Sequence, residues 1–222
     1  MASDDPRARV RELAQAARTG GDPTGWFETL YAEAAGDAAR VPWADFRPDP
    51  FAMQWLDAAH WQPQGEPALV VGCGLGDDAE ALARRGFTVT AFDVAPTAVA
   101  WCRERFPDSR VNYQIADLFS LPEAWRESFA FVLEINTLQA LPAAARARAF
   151  VPLASTLRPD GVLLVIARGR DEGPEPDGPP WPLSRSQLAI FNTLGLHGQS
   201  FEEFHDEEIP PVRRFRAAYR RE

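Results

Sequence analysis

Lysine is missing from this sequence: every one of its 23 basic residues is an arginine. No Schiff base can form on a lysine amine, which removes the usual pyridoxal chemistry. No phosphate-binding loop can end in Gly-Lys-Ser/Thr either. Cysteine is nearly missing too. Cys73 and Cys102 alone cannot build a disulfide framework or a cysteine-rich metal site. No metal is expected, and both thiols read as packing residues in a reducing, cytoplasmic setting. Apolar runs stop at about 8 residues, well short of the roughly 20 that a membrane-spanning helix needs. The opening stretch MASDDPRARVRELAQ puts acids first and lacks the apolar core of a secretory signal. Positive charge is in deficit as well. A formal net charge of −9 disfavours a nucleic acid backbone, whose affinity comes mainly from phosphate neutralisation, and suits a small or cationic ligand.

What is present suffices for one compact body of 222 residues, 45% of them hydrophobic. Apolar residues at helical spacing predict a helix over 6–18, a second over 25–36 and a third over 51–60, with the proline-rich loop VPWADFRPDP between the last two. From residue 68 the pattern changes. ALVV, FTVTAFD, VNYQIAD, FAFVLEI and GVLLVIAR read as strands, separated by helical stretches such as DDAEALARRG and APTAVAWCRERF. LHGQSFEEFHDEE and VRRFRAAYRR read as a closing antiparallel pair, after one helix over SRSQLAIFNTLG. The expected fold is therefore α/β: a Rossmann-like, seven-stranded, mostly parallel sheet with an antiparallel last hairpin and helices on both faces. Residues 1–65 form an N-terminal helical lid and 66–222 the main domain. The stretch 170–184, rich in proline and glycine, reads as a flap over the ligand side. A monomer and a homodimer suit this pattern equally.

The chemistry gathers at VVGCGLGDD, residues 70–78. Gly72, Gly74 and Gly76 follow the first strand, where an open α/β sheet binds its ligand. A dinucleotide loop would carry glycine where this chain has Asp77. Asp77 and Asp78 begin the next helix and would repel a pyrophosphate. The loop thus suits a nucleoside without phosphates. Asp93 ends the second strand and can accept hydrogen bonds from both ribose hydroxyls. Asp117 ends the third and can receive an adenine amine, with Leu118 or Phe119 near the ring. The alternative is that both acids cap the elements that follow them.

The run LVVGCGLGDDAEALARRGFTVTAFDVAPTAV…IADLF resembles the cofactor half of class I S-adenosylmethionine-dependent methyltransferases, over roughly residues 66–168. The resemblance implies S-adenosylmethionine as cofactor and S-adenosylhomocysteine as product. It places Gly72, Cys73, Gly74 and Gly76 along the methionine part, Asp93 on the ribose, Val94 against the adenine, and Asp117 with Leu118 around the base. Trp26, Leu30, Tyr31, Pro42 and Trp43, together with GPPWPLS near the C-terminus, are similar to the thiopurine methyltransferase-like subgroup, whose acceptor is often a thiol. That subgroup often has Asp-Arg after the fourth strand, where this chain has Glu134-Ile135-Asn136.

Methyl transfer from a sulfonium requires alignment and exclusion of water more than acid–base work. A thiol near pKa ~8.5 needs little help, whereas a phenol near ~10 wants a base. His60, His197 and His205 are the only histidines and read mainly as surface residues, which favours a thiol over an O- or N-acceptor. Glu134 and Asn136 are expected to face the transferable methyl and position it, Glu134 alternatively holding the methionine ammonium. Trp43 is expected as an aromatic lid on cofactor and acceptor. Tyr31, Asn136, Arg168 and Trp181 complete the expected acceptor pocket, with Arg168 suited to an acidic group.

Overall fold

A computed structural model describes residues 5–222. The N-terminal part holds α1 (Pro6–Gly20), α2 (Gly25–Ala34) and α3 (Pro50–Ala58). Asp5 and Asp49 cap α1 and α3, each followed by proline at the first helical position, where its missing N–H costs nothing. The alternating part runs β1 (Pro67–Val71), α4 (Asp77–Arg84), β2 (Thr88–Asp93), α5 (Pro96–Arg105), β3 (Asn112–Ile115), β4 (Phe129–Ile135), α6 (Ala143–Thr156) and β5 (Leu157–Arg168). Two helical turns, α7 (Arg185–Leu188) and α8 (Ile190–Thr193), precede β6 (Leu196–His205) and β7 (Arg213–Arg221). The single helix expected over this C-terminal stretch is in fact broken at Ala189, which ends α7 and starts α8.

Among the described residues the sheet has seven strands in the order β3-β2-β1-β4-β5-β7-β6, and only β7 runs antiparallel to both its neighbours. Strand alternation divides the core. Leu69, Val71, Val132 and Val165 pack on the α6 side, whereas Ala68, Val70, Leu133 and Leu164 pack with Ala52, Ala79 and Val99 of α3, α4 and α5. Strand order reverses between β1 and β4, so the carboxyl ends of these neighbours open a crevice.

The N-terminal helices close over that crevice. Tyr31 and Ala34 of α2 pack on Leu75, Ala95 and Ala98. Glu28 clamps α2 to the start of α5, accepting the Thr97 N–H at 3.0 Å and its hydroxyl at 2.6 Å. No helix among the described residues is long and apolar enough to cross a membrane.

Candidate active site

After β1 the chain turns through Gly72, Gly74 and Gly76, all with positive φ. Two of them are glycine because of protein neighbours. A Cβ on Gly72 would lie 2.5 Å from the Thr137 hydroxyl, and one on Gly76 would lie 2.5 Å from that of Tyr113. The loop is held from below by Asp93. Its Oδ2 accepts the Gly74 N–H at 3.0 Å and its Oδ1 the Ala95 N–H at 3.0 Å. Burial pushes the Asp93 carboxyl up to about 6 against these bonds.

A cavity of about 1170 Å³ stands over this loop. Gly72, Cys73, Gly74, Gly76, Asp93, Val94, Asp117 and Leu118 all lie on its wall, as do Tyr31, Trp43, Asn136 and Arg168. Asp117 also caps the short turn Leu118–Ser120, accepting the Phe119 N–H at 2.9 Å. The capping alternative is thus real and compatible with a place on the wall. Trp43 is 38% exposed and donates its indole N–H to the Tyr31 hydroxyl at 2.7 Å. Trp26 and Phe27 meet its ring edge-on. Burial holds the Tyr31 phenol well above its ordinary value, so it stays neutral and accepts this bond.

The wall near the loop is acidic, with Asp45, Asp49, Asp77, Asp78, Asp93 and Asp117. Asp78 accepts the Asp49 N–H at 2.7 Å, and burial raises its carboxyl to about 7. Asp77 corrects the charge argument drawn from the sequence. Arg105 binds it with two hydrogen bonds, of 2.8 and 2.9 Å, so its charge is compensated inside the protein.

Toward β5 and β7 the wall changes. Asn136 sits in a left-handed turn at φ 61° and accepts from Arg214 at 3.4 Å. Arg214 also reaches Asp206 at 2.7 Å and Glu208 at 2.6 Å. Arg168 pairs with Arg214 across β5 and β7, and it touches Glu208 at 3.4 Å. Two expectations are corrected here. Glu134 is fully buried on the α6 face and absent from the cavity wall. Its Oε1 accepts the Leu138 N–H at 2.9 Å, so it braces the turn that carries Asn136 rather than facing a methyl group. Its Oε2 has no partner among the described residues, and burial lifts the carboxyl to about 7. Trp181 is buried with Val10, Ala14, Trp26 and Leu30, off the cavity wall. Its flap neighbours Pro179 and Pro180 are the residues that line it.

Sequence reasoning missed Arg214 because VRRFRAAYRR offers five arginines, and only strand register selects the one opposite Arg168. It also read His205 as a surface residue. The imidazole is exposed, but it stands on the cavity wall where β6 ends, whereas His60 and His197 do not.

Residues 68–161 match the family model described as methyltransferase domain. The strand order and the glycine-loop geometry agree with that match and define the class of fold: an open, Rossmann-like α/β sheet whose ligand crevice lies at the carboxyl ends of β1 and β4. Among curated proteins, the ubiquinone biosynthesis O-methyltransferase of Pseudomonas fluorescens (strain Pf0-1) is 33% identical over 105 residues, 45% of each chain. The matched part thus spans less than half the length of that relative. Two solved structures share the fold over most of the chain. The Burkholderia thailandensis 1,6-didemethyltoxoflavin-N1-methyltransferase, solved with its acceptor and S-adenosylhomocysteine, has a TM-score of 0.67 and 18% identity, covering 99% of this chain and 93% of that one. The cyclase SpnF has a TM-score of 0.69 and 19% identity, covering 90% and 96%. The fold therefore hosts more than one chemistry, and the site has to decide.

Proposed function

We propose that this protein is an S-adenosylmethionine-dependent methyltransferase acting on a small molecule. The observation that carries the proposal is Asp93. Each carboxylate oxygen uses one lone pair on the backbone of the loops above it and keeps another for a ribose hydroxyl. The acids around the loop suit a ligand that bears a sulfonium and an ammonium and no phosphate. Trp43 offers an aromatic face to such a cation, worth about 0.5–2 kcal/mol. The relative named as an O-methyltransferase and the structure solved with S-adenosylhomocysteine support the same reading.

When bound, the cofactor supplies an electrophilic methyl group and a sulfide leaving group. The chain's own task is then positional. Asp93 fixes the ribose, Asp117 the base, and the Tyr31–Trp43 pair screens the site from water. Asn136, held by Arg214 and braced from behind by Glu134, directs the acceptor. The acceptor atom is open to two readings. Thiol transfer followed from the scarcity of bases in the sequence. The placement of His205 on the cavity wall removes that scarcity and favours a hydroxyl acceptor, whose proton the imidazole would take. Release of S-adenosylhomocysteine, measured with matched thiols, phenols and amines, tests both. Turnover of phenols alone supports the hydroxyl reading, turnover of thiols alone reinstates the first, and turnover of amines alone contradicts both.

A further inference from the structure

The cavity wall is acidic around the glycine loop and mixed where β5 ends and β7 begins, where Arg168 and Arg214 stand beside Asp206, Glu207 and Glu208. β5 lies two strands from β1, a displacement of about 10 Å. The charges at the arginine end are unevenly matched. Arg214 is fully engaged, with Asp206 at 2.7 Å and Glu208 at 2.6 Å. Arg168 shares that same Glu208, and only through one contact of 3.4 Å. Its backbone N–H is taken by Gln139 Oε1 at 2.5 Å, which fixes the strand end and leaves the guanidinium free to serve the cavity. Arg7, in the first turn of α1, lines the same cavity, and among the described residues its guanidinium has no carboxylate partner. Arg168 is half-buried, and its cationic form is disfavoured first by burial and then, against the help of Glu208, by Arg214 and Arg7. A planar guanidinium with most of its five donors unused, on one cavity wall with a second cation, is matched by a planar anion.

We propose that the methyl acceptor carries a carboxylate, seated between Arg168 and Arg7 at the end of the cavity away from the glycine loop. The inference deepens the methyltransferase reading and rests on it for the word acceptor; the anion seat itself does not. The seat draws one ligand from the sheet and one from the lid, so an acidic acceptor would tie α1 to β5 and close the cavity over the reacting atoms. The alternative is that both arginines are simply solvated.

The test is calorimetric titration of benzoate and of benzamide, two probes of one shape and different charge, into the full chain saturated with S-adenosylhomocysteine. Benzoate should bind about tenfold tighter than benzamide, the scale of a charge-assisted pair. That preference should fall to near unity in Arg168→Gln and shrink in Arg7→Gln, while the affinity for S-adenosylhomocysteine stays as it was. The exposed Arg7 variant guards against a folding defect at the half-buried site. Absence of benzoate binding, equal affinity for the two probes, or a preference that survives both substitutions overturns the proposal. Failure of S-adenosylhomocysteine to bind would instead sink the cofactor reading. The same titrations on the protein alone would then still decide the anion seat.

Discussion

Asp93 and Gly74 are joined by one hydrogen bond of 3.0 Å, from the loop's N–H to the carboxylate at the end of the next strand. The bond couples the shape of the glycine loop to the acid proposed to hold the ribose. Asp93→Asn keeps the size and removes one acceptor, leaving either Gly74 or Ala95 with an unmatched donor. We expect a loss of about 1 kcal/mol in stability, from chemical denaturation. Affinity for S-adenosylmethionine should fall about 100-fold, through two weakened charge-assisted bonds.

The same burial predicts an unusual pH dependence. Asp93 is raised to about 6, and Asp78 and Glu134 to about 7, whereas unfolded carboxyls titrate near ~4. Between those values the folded chain binds more protons than the unfolded one, so the stability of the ligand-free protein falls as pH rises from about 5 to 7.5. Carboxylates held low by arginines, such as Glu33 and Glu203, act in the opposite sense but finish titrating below that window. Affinity for the cationic cofactor should rise over the same range as the acids ionise. Melting temperatures and titrations at pH 5, 6 and 7.5 check both signs. A melting temperature that climbs with pH would contradict the burial argument.

Arg146 holds the 170–184 flap. Its side chain is 1% exposed, pairs with Glu175, and donates to the Leu141 carbonyl at 3.1 Å and the Trp181 carbonyl at 3.4 Å. Arg146→Ala removes the anchor between α6 and the flap. It should cost about 3 kcal/mol and open the 170–184 segment to limited proteolysis, with a shift in Trp181 fluorescence.

His205→Gln separates the two acceptor readings. With a phenol acceptor, kcat should fall about 100-fold at neutral pH. Turnover of a thiol should barely change. Equal losses for both acceptors would assign His205 a structural role instead.

The strands were legible because a parallel sheet buried on both faces leaves short, nearly continuous apolar runs, as in ALVV and FAFVLEI. The glycines, Asp93, Asp117 and Trp43 could be placed on one wall because each stands next to a strand end or loop visible in the sequence. Other features were hidden for identifiable physical reasons. Glu134 follows the alternation of β4 onto the α6 face, and a one-residue difference in facing cannot be told from its position near a strand end. Trp181 belongs to a packing cluster with α1 and α2, a contact between segments more than 150 residues apart. Asp77 looked like an uncompensated charge because Arg105, its partner, lies 28 residues on. Arg7 and Arg214 reach the cavity wall through the packing of α1 and through antiparallel register, neither of which has a local signal.

The most direct measurement is calorimetric titration of the purified protein with S-adenosylmethionine and, separately, with NADH, repeated on Asp93→Asn. The account predicts binding of S-adenosylmethionine by the unaltered chain, a marked loss in the variant, and no binding of NADH by either. Binding of NADH in place of S-adenosylmethionine, or an affinity for S-adenosylmethionine that ignores the loss of the Asp93 carboxylate, would contradict it.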